Sequence, residues 1–397
     1  MKPTVVITRF PYESSWGGEE SHTIAIAQHL RSKGYEVVFL GSCPILLQKF
    51  SELQFPVRKV WGGKMVVTPL ELIKSFFLFP LIKWNLARHF KKLAQEVEIK
   101  ALYCLSLNEK ILLTPEALKR SIPVTWVEHQ EIRNWLLKNP WRKQYQELSG
   151  SVKIVPINQL NKQKLVKGMK VNEASIIDIT NGVDVKTIQQ IPRKTEPGLI
   201  VVANRFIPKK GVMDFLYTLP ILFQSRPNIK VVIVGEGEEE KSMKEFIKKN
   251  LSEKHIQVNN FLKKENWFEL LSRCDVFVST SRDTNETFSL STAEALASGC
   301  KGVVTNCSGI ADDLKDGHDA FLAEPMKPEH LRLQIEKALD ADESMREHAK
   351  NTAQKKFNLD VMLQHYESVI LRTGRKKFSR SIKGSTSEER KGFWRNC

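Results

Sequence analysis

Two glutamates, Glu286 and Glu294, stand eight residues apart in RDTNETFSLSTAEALASG (282–299), separated by small and hydroxyl-bearing residues. The stretch follows CDVFVSTS (274–281), an apolar run that reads as a buried strand of a parallel sheet. It is therefore a strand outlet leading into a helix, the place where ligands sit in open α/β sheets. A carboxylate there can accept hydrogen bonds from two ribose hydroxyls, and a Ser/Thr-rich turn exposes backbone amides to a phosphate. Ordinary structural readings stand beside these. Ser291 and Glu294 form a capping-box pattern, Glu286 suits a solvated loop, and the small residues suit helix–sheet packing.

Three further groups have types and positions that could act on a phosphate. Arg205 and Lys210 bracket NRFIPKKG (204–211) at another strand outlet. There they could clamp a diphosphate, one as a fork and one as a point charge, or form a solvated basic turn. Gly17 and Gly18 occupy the first strand-to-helix turn in SSWGGEESHTIAIAQHL. Glycine lets a ligand approach the backbone, and the helix start offers free amides; turn geometry alone would also explain the pair. Gly235 and Gly237 in VGEGEEE are permissive in the same way at the end of the next strand. His129 closes the strand-like PVTWVEH (123–129), as a site residue or as an ordinary structural histidine. The DxD triplet DAD (340–342) falls in a helical, solvated stretch, and no zinc-ligand spacing is visible.

The elements that must position these groups alternate strand and helix. Strands are expected at 3–10, 35–41, 99–106, 123–129, 151–158 and 174–181, with a helix over 20–34 stopped by Gly34. The pattern restarts at PGLIVVANRF (197–206) and continues through IKVVIVGEG, IQVNNF, DVFVSTS, KGVVTN and DAFLAEP. Strict alternation implies parallel sheets covered by helices. The polar KTIQQIPRKTEP (186–197) divides an N-terminal domain, 1–190, from a C-terminal domain, 191–356. The run 357–371 is expected to cross back onto the first domain as a closing helix, and 374–397 to be a disordered basic tail.

Composition narrows the partners. The formal charge is +16 over 397 residues, but residues 49–100 alone hold ten Lys/Arg against four Asp/Glu, and residues 372–397 hold nine against two. Such regional basicity suggests an anionic surface rather than nucleic acid. The start MKPTVVITRF enters a strand pattern at once, without the features of a signal peptide, and no apolar run approaches the ~18 residues of a membrane span. Six cysteines without a CxxC pair suit reduced thiols in a cytoplasm. Residues 69–92, PLELIKSFFLFPLIKWNLARHFKK, admit two readings: a helix lying in an anionic headgroup layer, or a helix pair broken at Pro80 whose apolar side packs on the sheet.

Together, GGEE, NGVD (181–184), NRFIPKKG and E-x7-E resemble the retaining nucleotide-sugar glycosyltransferases of family 4. The likeness runs over about 1–371, most specifically from 198 to 325. It implies a GT-B fold: α/β, with two doubly wound Rossmann-like domains whose parallel sheets face each other across a cleft. By the same resemblance, Arg205 and Lys210 hold the diphosphate of a nucleotide-sugar donor, Glu294 binds its ribose, and Glu286 lies beside its sugar. Gly17 and Gly18 face the diphosphate across the cleft, and His129 lies near the reacting carbon. Phe288, Ser289 and Leu290, with Gly235 and Gly237, line the donor path. Ser289 stands where the family commonly has glycine, and EHQ where it often has His-Asp; a serine amide still donates to phosphate.

The expectation is therefore a transferase moving a sugar to a hydroxyl of a cell-surface glycan or lipid-linked acceptor, as in lipopolysaccharide or exopolysaccharide synthesis. No metal and no cofactor are expected, because Arg205, Lys210 and helix N-termini supply the positive charge. The expected place is the cytoplasm, at the inner face of the membrane through 69–92 and the basic tail. A GT-B sugar-nucleotide epimerase and a non-catalytic glycan-binding scaffold are the competing readings. A glycosidase acid/base pair is not, because a nucleotide clamp would have no purpose there.

Overall fold

The computed structural model describes residues 2–10, 17–63, 69–129, 132, 134–137, 139–283 and 288–372; Glu286 and the 374–397 tail lie outside them. The first sheet contains β1 (Pro3–Arg9), β2 (Glu36–Gly41), β3 (Val57–Lys59), β4 (Glu98–Cys104), β5 (Val124–Glu128) and β6 (Lys153–Pro156). The second contains β7 (Leu199–Ala203), β8 (Lys230–Val234), β9 (Ile256–Asn259), β10 (Val276–Ser279), β11 (Lys301–Thr305) and β12 (Phe321–Ala323). The spatial orders are β3-β2-β1-β4-β5-β6 and β12-β11-β10-β7-β8-β9. Every pairing is parallel.

Read from each sheet's own first strand, both orders are 3-2-1-4-5-6. Each sheet therefore has a switch point where the order reverses, between β1 and β4 and between β7 and β10. The strands look like unbroken apolar runs because both faces are covered. Val5 and Ile7 enter one core cluster and Val6 the opposite one; Val201 and its neighbours Ile200 and Val202 divide the same way.

The chain crosses between domains twice, and the crossings pair with each other. The Val183 amide donates to the Phe357 carbonyl at 2.8 Å, and the Leu359 amide donates to Val183 at 2.9 Å. The helix Leu359–Leu371 then buries Met362, Leu363, Tyr366 and Ile370 in a first-domain core cluster with Ile24 and Ala27.

Two local expectations need correction, and one strand was not expected. Residues 174–181 form no strand: Asn172 caps a short 3-10 turn at Glu173–Ser175, and a single bridge joins Ile176 to Ile154. β3, only three residues long and partly exposed, carries no readable period. The helix Pro69–Glu96 is continuous through Pro80. Ile82, Leu86, Phe90 and Leu93 anchor one stripe of it in the core while Pro80 faces solvent, so packing outweighs the one hydrogen bond that proline removes.

Candidate active site

The loop after β7 carries Arg205, exposed, and ends in the 3-10 turn Pro208–Lys210. The outlet of β10 pins it in place. Thr280 Oγ1 donates to the Lys210 carbonyl at 2.7 Å, and the Arg282 amide donates to the Lys209 carbonyl at 2.9 Å. Arg282 also forks onto Asp214, with both bonds 2.7 Å, and so locks this loop to the helix Val212–Ser225. The loop that carries both cations, Arg205 and Lys210, is thereby held at the second sheet's switch point.

Gly235 and Gly237 are required by the packing of this loop, a reason for glycine that the sequence alone does not show. Their φ values, 151° and 152°, lie in glycine territory. A Cβ on Gly235 would stand 1.8 Å from the Asn204 carbonyl oxygen, and one on Gly237 would stand 2.5 Å from that of Phe206. The loops after β7 and β8 are zipped backbone to backbone, with the Phe206 amide donating to Glu236 at 2.8 Å.

The helix Leu290–Ser298 starts beside the end of β7, where Ser291 Oγ donates to the Ala203 carbonyl at 3.3 Å. Its cap is Ser289, whose Oγ accepts from the Thr292 amide and hydroxyl. The capping box expected from Ser291 and Glu294 does not form, because the helix begins before Ser291 and Glu294 falls beyond its first turn. Instead the Trp267 indole N–H donates to Glu294 Oε2 at 2.7 Å. Burial pushes the Glu294 carboxyl up to about 7; Trp267 and Lys264 oppose the shift and Asp184 adds to it.

Across the opening, Gly17 caps the helix Gly18–Ser32. A Cβ on Gly18 would lie 3.2 Å from Leu290 Cδ1, so the two helix N-termini, one from each domain, meet here. Phe288, half-buried, packs edge-on to Phe357 with ring centres 5.5 Å apart. It also lines an interdomain cavity of about 240 Å³ with Asn158, Thr180 and Asp312.

Behind the glycine turn is a charged cluster that the sequence reading passed over. Arg9, buried at the end of β1, pairs with Glu20 at 2.5 Å and Glu19 at 3.2 Å. Burial raises Glu19 to about 7 despite Arg9. Lys110, also buried, donates to Glu128 Oε1 at 2.7 Å, and the Tyr145 hydroxyl donates to the same oxygen. The available signals were Arg9 and Glu128 themselves, charges at the ends of apolar strand runs. His129 follows Glu128. Its Nε2 is shielded without a hydrogen-bond partner, and burial, then His22, Arg9 and Lys110, push its pKa far down. His22, which hydrogen-bonds the Gly182 carbonyl at 3.2 Å, is pushed down to about 4. Both rings are neutral at physiological pH.

The structure thus gathers Gly17, Gly18, Phe288, Ser289 and Leu290 at the interdomain opening, and Arg205 and Lys210 at the β7 outlet beside it. Glu294 lies one turn into the helix, His129 belongs to the cluster under the first sheet's outlet, and Glu286 is outside the described residues. Two helix N-termini and two cations can receive a diphosphate.

Two doubly wound domains with facing switch points are the GT-B fold, and solved structures share it. A HepE structure from Anabaena in complex with UDP matches with a TM-score of 0.73 at 15% identity, over 92% of this chain and 98% of that one. Residues 184–356 match the family described as glycosyl transferases group 1. Among curated relatives, an uncharacterized glycosyltransferase of Bacillus subtilis is 27% identical over 135 residues, 34% of this chain and only 37% of that protein. A phosphatidylinositol N-acetylglucosaminyltransferase component from Arabidopsis thaliana is 23% identical over 345 residues, 82% of this chain and 72% of that protein.

Proposed function

We propose that the protein transfers a sugar from a nucleoside diphosphate sugar to a hydroxyl of a glycan or lipid-linked acceptor, with retention and without a metal. The observation that carries this is the meeting of the Gly18 and Leu290 helix starts beside Arg205 and Lys210. In the step proposed, the bond from the anomeric carbon to the diphosphate oxygen breaks and its electron pair leaves with the diphosphate. The acceptor oxygen bonds to the same face, and its proton passes to the departing phosphate oxygen. Arg205, Lys210 and the helix amides stabilise the charge that develops there. Glu294 holds the ribose, Glu286 the donor sugar, and neutral His129 a sugar hydroxyl. The Anabaena neighbour's UDP makes a uridine nucleotide the first donor to try.

The test is thermal melting with UDP, GDP, ADP and their sugars. The matching nucleotide at ~100-fold its Kd should raise the melting temperature by about 3 °C. If none stabilises the protein and no sugar is transferred, the reading falls and a non-catalytic scaffold replaces it.

The acceptor side is proposed to lie on an anionic membrane. Among the described residues no helix is long and apolar enough to cross one. The outer face of Pro69–Glu96, however, exposes Phe77 at 77% and Trp84 at 57%, with Leu78 and Leu81, and Trp61 lies nearby. Lys83, Arg88, Lys91 and Lys92 share the helix, with Arg88 over the Trp84 ring. In flotation assays the protein should bind vesicles containing phosphatidylglycerol and not pure phosphatidylcholine, and Phe77→Glu with Trp84→Glu should abolish binding. Equal recovery of wild type and variant would remove this part.

A further inference from the structure

Trp267 is 27 residues from Glu294 in sequence, yet its indole N–H meets Glu294 Oε2 at 2.7 Å. The indole sits on the helix Lys264–Arg273 and is half-buried. Its ring stands edge-on to Phe277 of β10, centres 6.3 Å apart, which fixes it from the core side. Three residues earlier on the same face, Lys264 pairs with Asp184 at 3.7 Å. Asp184 ends the NGVD stretch at the interdomain crossing and caps the helix Val185–Gln189 through the Thr187 amide. One short chain of contacts therefore runs from the crossing to the carboxylate.

We infer that Trp267 is a positioning residue for Glu294, holding the carboxylate plane in which it accepts the two ribose hydroxyls of a nucleoside diphosphate, with Lys264 kept beside it by Asp184. This rests on the donor-site reading above. A carboxylate free to rotate would meet two vicinal hydroxyls in few of its orientations, and an indole donor anchored by the core removes that freedom. An apolar residue at 267 would fill the space without orienting anything.

The charges around Glu294 give the arrangement a second consequence. From the packed elements, Lys264 and Asp184 are the charged groups that act on it. Arg346 and Lys350 of the helix Ser344–Lys356 meet the far end of its helix at Gly299, Lys301 of β11 pairs with Asp275, and Arg193 bonds the Ser298 carbonyl. Burial places the Glu294 carboxyl at about 7, Trp267 and Lys264 draw it down, and Asp184 draws it up. A carboxylate that must be ionised to receive a diol then binds ribose in a pH-dependent way, tuned by a residue of the crossing.

The test measures dissociation constants of UDP, GDP and ADP, each with its 2′,3′-dideoxy counterpart, from pH 5.5 to 8.5. The proteins are wild type, Trp267→Phe, which keeps the ring and loses the N–H, and Asp184→Asn, which keeps the cap and loses the charge. The nucleotide that binds wild type should bind Trp267→Phe about tenfold more weakly at pH 7, with its pH midpoint moved up. Asp184→Asn should move the midpoint down; the upward shift in Trp267→Phe is the direction that general loosening of the fold does not produce, because exposing Glu294 would return it toward 4.5. The dideoxy counterpart should bind wild type and Trp267→Phe alike. Unchanged affinity and midpoint in Trp267→Phe, or an equal loss toward the dideoxy compound, overturns the inference and leaves the donor site standing. Binding of no nucleotide by wild type overturns the donor reading itself, and this inference with it.

Discussion

Arg205→Ala is expected to lower the rate of sugar transfer by about 10²- to 10³-fold while leaving the fold intact, the cost found when one preorganised donor to a developing anion is removed. Arg205 is exposed, so alanine neither opens a cavity nor strands a buried charge. The loop that carries it is held by other residues, through Thr280 on the Lys210 carbonyl and Arg282 on the Lys209 carbonyl. What alanine removes is a fork of donors at the outlet of β7, where the leaving diphosphate gathers charge in the proposed step. Arg205→Lys should recover part of the loss, since an ammonium restores charge without the two-point fork. Lys210→Ala should fall in the same range. Lys248→Ala, removing an exposed cation on the helix Glu240–Asn250, should change the rate less than twofold. Steady-state rates with melting temperatures of all four variants decide it. A loss in Arg205→Ala no larger than in Lys248→Ala removes Arg205 from the chemistry.

Where the sequence was legible, one kind of physical signal dominated its neighbourhood. Eleven of the twelve strands are marked in the sequence, most of them because parallel strands buried on both faces need unbroken apolar runs, and the runs end where the ligand-side loops begin; half-exposed β9, in IQVNNF, is an exception. β3 escapes because three half-exposed residues carry no period, and β12 is little longer, though DAFLAEP marks it. Residues 174–181 mislead in the opposite direction: ASIIDIT has strand composition, but Asn172 offers its backbone a local turn instead. Pro80 misleads because the four core contacts that offset its cost lie on the other side of the helix and form only on folding. The same limit governs the site. The places of Gly17, Gly18, Arg205 and Lys210 in strand-to-helix turns were readable because each turn follows the end of an apolar run. That Gly235 and Gly237 are shaped by the Asn204–Phe206 backbone was not, because the atoms that forbid a side chain belong to another loop. Nor could the pairing of Glu294 with Trp267, or of Arg9 with Glu19 and Glu20, be read from residues that meet only after folding.

Glu294→Gln is expected to make the empty protein more stable above pH 7 and at the same time to abolish its response to nucleotide. The folded carboxyl sits at about 7, against 4.5 for an exposed glutamate. Its pKa is raised on folding, so the favourable contribution of the neutral form is complete below 4.5 and is lost as pH rises through 7. Above that the wild type carries a partly buried carboxylate at a cost of up to about 3 kcal/mol. Glutamine has nearly the same shape and still offers an oxygen to the Trp267 indole, but no charge. At pH 5 the two proteins should melt together; at pH 8 the variant should melt higher by about 3 °C. Nucleotide should then raise the wild type's melting temperature at pH 8 and leave the variant's unchanged, since an amide offers one acceptor oxygen where the ribose diol calls for two. A residue serving only the fold would not separate these effects, because losing it would lower stability and spare the ligand. If Glu294→Gln melts below wild type at pH 8, the carboxylate is a structural asset; if it keeps the full nucleotide shift, the ribose is held elsewhere. The predicted combination, greater stability with lost binding, is that of a site whose buried charge is disfavoured by the fold and has its use only when the donor arrives.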